Sequence, residues 1–175
     1  MQNYHYTDGL ESERLTTSFL TLDDVPLWSH FFENEEAVTF IQDFEPAKSM
    51  EHAEVWIERQ MQRTKNNQYG LQALLNKSTG EFIGMCGLLL QEVDGKLELE
   101  IGYHLLRNFW GKGYAGEAAQ LFKEYAHVNN LGTSVVSIIH INNLRSQKVA
   151  ITNNMKREKQ TTWRDKDVYV YRTSI

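Results

Sequence analysis

The sequence predicts a single mixed α/β domain over residues 1–175, with a central, mostly antiparallel, twisted sheet of six or seven strands and helices on both faces. The length of 175 residues suits one core, because single cores commonly serve about 100–200 residues. Hydrophobic residues make up 41% and charged residues 23%, which is typical of a folded protein and not of a disordered one. Apolar residues recur with the helical period in some segments and the strand period in others, which indicates both element types.

The N-terminal third predicts one strand and two helices. Thr21 and Asp24 form a capping pair, in which two side chains satisfy the free amides at the start of a helix. Ser49 can cap the second helix in a similar way. In order, the predicted elements are a poorly ordered tail over 1–12, a strand over 15–20, a helix through Trp28, Phe31 and Phe32, and a helix from Ser49 to about Asn66.

The rest of the chain predicts an antiparallel meander followed by alternating elements. The turn Asp94-Gly95 separates two strands of the meander, and Arg164-Asp165-Lys166 separates the strands of a final hairpin. In order, the predicted elements are strands over 71–75, 82–90 and 97–105, a helix from 114 to about 130, a strand over 134–139, a helix over 143–153, and strands over 156–162 and 168–173.

The composition argues against several classes of function. A net charge of −5 without a basic tract predicts no nucleic-acid partner and mildly favours an amine-bearing one. The single cysteine, Cys86, allows no internal disulfide or cysteine-rich metal site, and it fits a reducing compartment. No run of about 18 apolar residues and no signal-peptide pattern is present, so the sequence predicts a cytoplasmic protein without a membrane partner. Nothing in it separates a monomer from a homodimer.

The segment from Arg107 to Gly116 carries the clearest functional signal. It reads R-N-F-W-G-K-G-Y-A-G and lies between the end of a predicted strand and the start of a predicted helix. The first amides of a helix have no partner within it and carry a partial positive charge, and glycines let the backbone approach a ligand closely. The sequence therefore predicts a loop that binds a diphosphate.

Two other phosphate-binding motifs fit this segment less well. Gly111, Gly113 and Gly116 satisfy G-x-G-x-x-G, the dinucleotide-binding fingerprint. That fingerprint belongs to a βαβ unit with an acidic residue about 20 positions on, whereas this strand follows a meander and the next one ends in His140 without an acid. A P-loop needs Gly-Lys-Ser or Gly-Lys-Thr, which the sequence lacks.

Together with E-I-G-Y-H-L at 100–105, the loop resembles the signature of the GNAT superfamily of N-acetyltransferases. The family loop reads Q/R-x-x-G-x-G/A, and its ribosomal-protein-alanine acetyltransferase branch (RimJ/RimL-like) favours E-L-G-Y followed by W-G-K-G-Y-A-x-E-A. Asn108 stands in the Gln/Arg place. Further similarity lies at 13–15, at 80–88 and in Asn143-x-x-Ser146, so the resemblance covers nearly the whole chain.

The resemblance implies acetyl-CoA as the cofactor, bound by the loop and by the strand before it. In the family that strand splays from its neighbour, and its backbone groups bond the pantetheine arm, while its apolar side chains mainly pack in the core. Lys112 is either a phosphate contact or a solvated loop charge. The cofactor-binding residues implied in this way are Ile101, Tyr103, Leu105, Asn108, Phe109, Trp110, Gly111, Lys112, Gly113, Tyr114, Ala115, Asn143 and Ser146.

Glu100 is the first candidate for the general base. Because strand side chains alternate, Glu98, Glu100 and His104 share one face. Glu100 lies nearer the loop than Glu98 and matches the Glu before Gly-Tyr in the family pattern, a position that implies proton removal directly or through water. Its alternative role is a solvated or salt-bridged carboxylate, the role expected for Glu98. His104 could relay a proton, although a partly exposed structural histidine is the preferred interpretation.

The resemblance also assigns roles in the late helix. Many GNAT enzymes have a tyrosine general acid seven positions after the Asn that begins this helix, where this chain has Ala150. The branch resembled here has a serine three positions after that Asn. Ser146 is therefore the candidate that bonds the departing thiolate, and Asn143 the one that contacts the pantetheine. A helix cap or surface serine is the alternative, and Asn154 suits a left-handed residue at the helix end.

The predicted reaction is transfer of an acetyl group from acetyl-CoA to a primary amine, with the N-terminal α-amine of a protein or peptide preferred. An α-amine with a pKa of about 7.7–8.0 is roughly a tenth to a fifth neutral at pH 7, whereas a lysine with a pKa near 10.4 is almost entirely charged. A small-molecule amine, such as a polyamine, an amino acid or an antibiotic, is the alternative acceptor. Ala150 and Asn108 leave open a catalytically silent acyl-CoA-binding module.

Overall fold

The computed structural model describes residues 5–41 and 46–175 and confirms the mixed α/β class. In chain order the elements are β1 (Leu15–Ser18), α1 (Val25–Phe32), α2 (Glu35–Val38), α3 (Ser49–Lys65), β2 (Leu71–Asn76), β3 (Phe82–Val93), β4 (Lys96–Leu105), α4 (Tyr114–Val128), β5 (Ser134–His140), α5 (Leu144–Thr152), β6 (Lys156–Trp163) and β7 (Lys166–Ser174). Short 3₁₀ turns cover Leu22–Asp24, Pro46–Lys48 and Arg107–Phe109. The predicted elements are present, and α2 is an addition that the sequence did not suggest.

The strands form one sheet in the order β1-β2-β3-β4-β5-β7-β6, which confirms the predicted mostly antiparallel sheet. Neighbouring strands are antiparallel except for β4 and β5, which are parallel and are joined by α4. A parallel pair needs a crossover connection, so α4 has to cross one face of the sheet. The register between β4 and β5 consists of one pair, Glu100 and Val136.

Residues with positive φ make the hairpin turns. Asp94 and Gly95 have φ of 50° and 74°, and Arg164 and Asp165 have φ of 50° and 60°. Two successive residues of this kind form the turn whose twist matches that of antiparallel strands, so both predicted hairpins are confirmed. Asn154, with φ of 61°, follows α5 in the left-handed conformation that was expected of it.

One of the two predicted helix caps is found in the structure. The backbone N–H of Thr21 donates to Asp24 at 2.9 Å, so the predicted capping pair forms at the 3₁₀ turn that leads into α1. Ser49, in contrast, does not cap α3. It is the first residue of the helix and follows Lys48, and its hydroxyl donates to Glu33 at 3.5 Å.

Helices cover both faces of the sheet, as predicted. The face under α4 and α5 buries a core that includes Ile83, Leu99, Ile101, Leu105 and Phe122. The face under α1 and α3 buries a second core that includes Trp28, Phe32, Ile57, Met85 and Leu89. Because β4 sends its odd-numbered residues from Leu99 onward into the first core, its even-numbered residues point to the opposite face of the sheet, where His104 contacts α1 and α3.

Residues 5–12 differ from the poorly ordered tail that the sequence predicts for 1–12, of which residues 1–4 lie outside the described part. The Tyr6 side chain is 5% exposed, and its hydroxyl donates to the carbonyl oxygen of Gly70 at 2.8 Å. Its ring packs edge-on against Tyr69 and Tyr125, with ring centroids 5.5 and 5.9 Å away. This aromatic anchor holds the segment against the rest of the domain.

Within residues 5–41 and 46–175, no helix is long and apolar enough to cross a membrane, and no group of three or more His, Cys, Asp or Glu side chains could hold a metal ion. Cys86 is fully buried on β3, and burial raises the pKa of its thiol. The thiol therefore stays protonated and packs as a small apolar side chain.

Candidate active site

A cavity of about 1020 Å³ opens where β4 and β5 separate. Past Glu100, the hydroxyl of Ser137 on β5 donates to the carbonyl oxygen of Ile101 at 3.2 Å. Among the described residues the two strands share no further register pair, although β4 stays paired with β3 to its end. The separation leaves one edge of β4 facing the cavity, where its amide groups can bond an extended, amide-rich ligand.

Most of the predicted site residues line this cavity. They are Glu100, Ile101, Tyr103, His104, Leu105, Phe109, Trp110, Gly111, Gly113, Tyr114, Ala115, Asn143 and Ser146. Asn108 and Lys112 are exposed and lie outside the lining. The Lys112 ammonium lies 5.5 Å from the centroid of the Phe109 ring. The fold therefore brings together the splayed strand, the glycine loop and the start of α5.

The backbone of the loop is shaped to approach a ligand. Gly111 and Gly113 have φ of 72° and 83°, a region that glycine adopts without steric cost. Gly113 is the N-cap of α4, which begins at Tyr114 and is 15 residues long. The first amides of a helix have no intrahelical partner, and the helix dipole makes this end partly positive. The loop can therefore hold an anionic group through backbone amides alone.

The side chain of Trp110 holds the loop in place. Its Nε1 donates to the carbonyl oxygen of Leu105 at 2.8 Å. The guanidinium groups of Arg107 and Arg145 lie 4.8 and 4.5 Å from the indole ring centroid. Both arginines also pair with Glu36 on α2. The loop, α2 and α5 are thus joined around one indole at the edge of the cavity.

An ion pair that the sequence did not predict fixes the other side of the loop. Arg14, which directly precedes β1, donates from Nε and from its backbone N–H to the carboxylate of Glu117, each at 2.7 Å. Ser12 donates to the same carboxylate at 2.6 Å, and Arg14 Nη1 donates to the carbonyl oxygen of Lys112 at 2.9 Å. The guanidinium also covers the Tyr114 ring at 4.3 Å. Arg14 therefore clamps the loop to the first turn of α4.

Replacing Glu117 with alanine is expected to lower the free energy of unfolding by about 1–3 kcal/mol, because it leaves partly buried donors without their acceptor. It should also weaken acetyl-CoA binding, since Arg14 is then no longer held against the loop. Thermal unfolding and calorimetry measure the two effects.

The matched control for this change is Glu11→Ala. Glu11 is 63% exposed and forms an ion pair with Lys77, which contributes less than about 1 kcal/mol. Equal losses of stability in the two variants would contradict a structural role for the Glu117 carboxylate.

Glu100 lies at the point where β4 and β5 separate, and it is 8% exposed. Gln91 Nε2 donates to its carboxylate at 2.9 Å. Burial raises the pKa of this carboxyl above its ordinary value. The Gln91 hydrogen bond, a backbone contact with Ile138 and the nearby Arg164 and Arg63 lower the pKa by less. A carboxylate with a raised pKa in a cleft is a stronger proton acceptor than an exposed one.

Glu98 is a salt-bridged carboxylate, one of the two roles expected for it from the sequence. Arg172 donates to both of its oxygens, at 2.9 and 2.8 Å, and these bonds lower the pKa of the carboxyl. The same guanidinium also bonds both oxygens of Glu158. Glu98 is therefore part of a surface ion-pair network.

His104 lies between aromatic side chains of α1 and α3. Its ring meets Phe31 and Trp56 edge to face, with centroids 5.8 and 5.3 Å away. Burial lowers the pKa of the imidazole to about 4, so the ring is neutral at pH 7. A neutral ring with this pKa is a weak base.

The start of α5 presents Ser146 to the cavity. Asn143 caps the helix, and its side-chain oxygen accepts the backbone N–H of Ser146 at 3.2 Å. The hydroxyl of Tyr103 donates to the carbonyl oxygen of Ser146 at 3.1 Å, which ties α5 to the splayed strand. Ala150 is 1% exposed in the core, so position 150 offers no hydroxyl to the cavity.

Sequence comparisons show what kind of protein the chain resembles. A sequence profile described as "Acetyltransferase (GNAT) domain" matches residues 14–156. The N-acetyltransferase p20 of Bacillus licheniformis is 30% identical over 174 residues, which cover 94% of each chain.

Two solved structures have the same fold. An acetyltransferase from Agrobacterium tumefaciens is 22% identical and superposes with a TM-score of 0.76, covering 99% of this chain and 98% of the other. RimL, a ribosomal L7/L12 alpha-N-protein acetyltransferase in complex with coenzyme A, is 17% identical with a TM-score of 0.76, covering 97% and 98%. At these identities the likeness concerns the fold.

Proposed function

The chain belongs to the GNAT acetyltransferase family and is an acetyl-CoA-dependent acetyltransferase, and we propose that its acceptor is the N-terminal α-amine of a protein or peptide. The observation that carries the proposal is the buried carboxylate of Glu100 at the opening between β4 and β5, in a cavity that also contains the glycine loop. RimL, with the same fold, is described as an alpha-N-protein acetyltransferase. An α-amine also needs less help to lose its proton than a lysine does.

We assign the cofactor site to the loop and the splayed strand. The amides of 111–115 and the positive end of α4 suit a diphosphate. The edge of β4 around Tyr103, between Ile101 and Leu105, suits the amide groups of a pantetheine arm. Acetyl-CoA supplies the activated acetyl thioester. The positive φ of Gly111 and Gly113 supports this fit, because a backbone of that shape leaves room for a ligand at the loop.

Glu100 is proposed as the general base. It accepts the proton of the acceptor amine, directly or through one water, and Gln91 holds the carboxylate in place by its hydrogen bond. His104 is the second candidate for the general base, because an imidazole with a pKa of about 4 competes poorly for a proton at pH 7. It then acts mainly as part of the aromatic wall of the cavity.

Ser146 is proposed to donate its hydroxyl proton to the departing sulfur. Its side chain lines the cavity next to Tyr103, and its backbone is fixed by hydrogen bonds with Asn143 and Tyr103. Asn143 uses its side-chain oxygen to cap α5, which leaves its amide NH₂ for a contact with the pantetheine. The buried Cys86 fits a reducing compartment, so we place the enzyme in the cytoplasm.

The test is release of free thiol from acetyl-CoA in the presence of N-terminal peptides, polyamines, amino acids and amine antibiotics. We expect turnover with peptides that have a free N-terminus, and none once that N-terminus is blocked. Acetyl-CoA should raise the Tm and NAD should not, because a ligand that binds only the folded state stabilises it. Turnover confined to small amines would show that the acceptor is a small molecule and not a protein N-terminus. A raised Tm without any turnover would indicate a silent acyl-CoA-binding module.

A further inference from the structure

Three arginines line the end of the cavity beyond Glu100, and we call them the arginine cluster: Arg59, Arg63 and Arg164. Arg59 and Arg63 are one turn apart on α3, and Arg164 lies in the turn between β6 and β7. Elements that are distant in sequence therefore direct positive charge into one region of a protein whose net charge is −5.

The arginine cluster has no carboxylate partner. In the part of the chain that the structure describes, no Asp or Glu oxygen lies within 4.0 Å of these three guanidinium groups. Arg63 donates to Gln60 and Arg164 donates to Gln91, each at 3.2 Å, and both of these partners are neutral amides. Arg145, which lines the same cavity, is in contrast paired with Glu36.

The cluster is held close to the proposed base. Arg164 donates to the Gln91 oxygen, and the Gln91 nitrogen donates to Glu100. Burial and the like charges of Arg59 and Arg164 lower the pKa of Arg63, which indicates mutual repulsion that a bound anion would relieve. Glu100 lies nearby, but its carboxylate accepts from Gln91 and is not ion-paired with the cluster.

Arg164 is linked through Gln91 to Glu100, whereas the glycine loop follows the other end of β4, after Leu105. Glu100 and Leu105 are five residues apart on β4, which corresponds to about 16 Å along a strand. A cofactor bound at the loop therefore leaves the region of the cluster to the acceptor. Arginine forks match the oxygens of carboxylate and phosphate groups, which is the usual way in which proteins recognise such anions.

From this arrangement we infer that the acceptor amine carries a carboxylate or phosphate group, which the arginine cluster binds while the amine lies at Glu100. The inference rests on the proposed amine acetylation and narrows it. An acidic side chain next to a peptide N-terminus and a carboxylate on a small amine present the same chemistry to the cluster. The arginines could instead serve only to keep Glu100 ionised. In that case their replacement would lower the acetylation of acidic and neutral acceptors equally.

The experiment compares acceptors that differ by one charge. The peptide arm uses C-terminally amidated Ala-Asp-Ala and Ala-Asn-Ala, and the small-molecule arm uses the α-amide of aspartic acid and its diamide. We expect kcat/KM to be about 10-fold or more higher for the acid of a pair than for its amide, since hydrogen bonds to charged groups are the stronger ones. The arm with the larger ratio identifies the source of the anion.

Arg63→Gln and Arg164→Asn are expected to bring this ratio close to one by raising the KM of the acid. Asn is chosen at position 164 because this residue has φ of 50°, which Asn tolerates. The KM of acetyl-CoA should not change. Arg157→Gln is the control, because Arg157 packs over Tyr169 and does not line the cavity.

Equal kcat/KM for acid and amide in both arms would overturn the inference and leave the proposed amine acetylation intact. An equal loss for acid and amide in the arginine variants would overturn it as well, because the arginines would then act on Glu100 alone. If no acceptor in either arm is acetylated although acetyl-CoA raises the Tm, the proposed acceptor class fails first, and the inference fails with it.

Discussion

Replacing Glu100 with glutamine is expected to lower turnover at pH 7 by about 100-fold or more, the usual contribution of a general base. The amide keeps the shape of the side chain but cannot accept the proton of the acceptor amine. The native kcat/KM should fall as the pH falls through the pKa of Glu100, because the protonated carboxyl is not a base. Burial raises this pKa, so the fall begins at a higher pH than it would for an exposed glutamate. The variant should recover in part at high pH, where the free amine is already neutral.

Glu98→Gln is the matched control for this prediction. Glu98 lies two residues away on the same face of β4, but its carboxylate is bound by Arg172. This variant should lose some stability and keep the native pH profile and turnover. Native turnover by Glu100→Gln at pH 7 would exclude Glu100 as the base and leave water or His104 in that role.

The elements of the fold could be predicted because their signals are local. The turns at Asp94-Gly95 and Arg164-Asp165 lie inside the two hairpins that they make, and both are found where the sequence suggests. The loop at 107–116 is defined by its glycines and by its position between a strand and a helix, so its backbone geometry is also contained in a few adjacent residues.

The contacts that hold the site together are not local, and no sequence pattern indicates them. Arg14 and Glu117 are separated by 103 positions, and the sequence around either residue does not indicate that the two are paired. Resemblance pointed to the region around Arg14 without assigning it a partner. Likewise, Arg63 and Arg164 come near each other only because α3 and the β6–β7 turn both border the cavity.

Burial accounts for the remaining differences. Alternation places His104 and Glu100 on the same face of β4, but it does not show that Phe31 and Trp56 enclose the imidazole and lower its pKa to about 4. Similarly, a polar composition suggested a poorly ordered tail, whereas Tyr6 is buried and residues 5–12 are hydrogen-bonded to other parts of the domain. In both cases the deciding contacts come from other elements.

Gly111→Asp is expected to weaken coenzyme A binding about 30-fold relative to Gly111→Asn. Gly111 has φ of 72°, which Asn and Asp tolerate better than other residues, and no atom lies within 4 Å of an added Cβ. The two variants should therefore fold equally well and differ by one charge. A carboxylate about 8 Å from a diphosphate charge is repelled by about 2 kcal/mol at an effective dielectric constant near 20, and this energy corresponds to about 30-fold in Kd.

Calorimetry at low and high salt measures this difference, which should shrink at high salt because exposed charges are screened. Gly95→Asp is the control, because it introduces an aspartate with positive φ at a site outside the cavity. Gly95 has φ of 74° and free space around it, but it lies in the turn between β3 and β4 and does not line the cavity. It should leave the Kd unchanged. If Gly111→Asp and Gly111→Asn bind coenzyme A equally well at low salt, the diphosphate lies elsewhere, and its assignment to this loop has to be withdrawn.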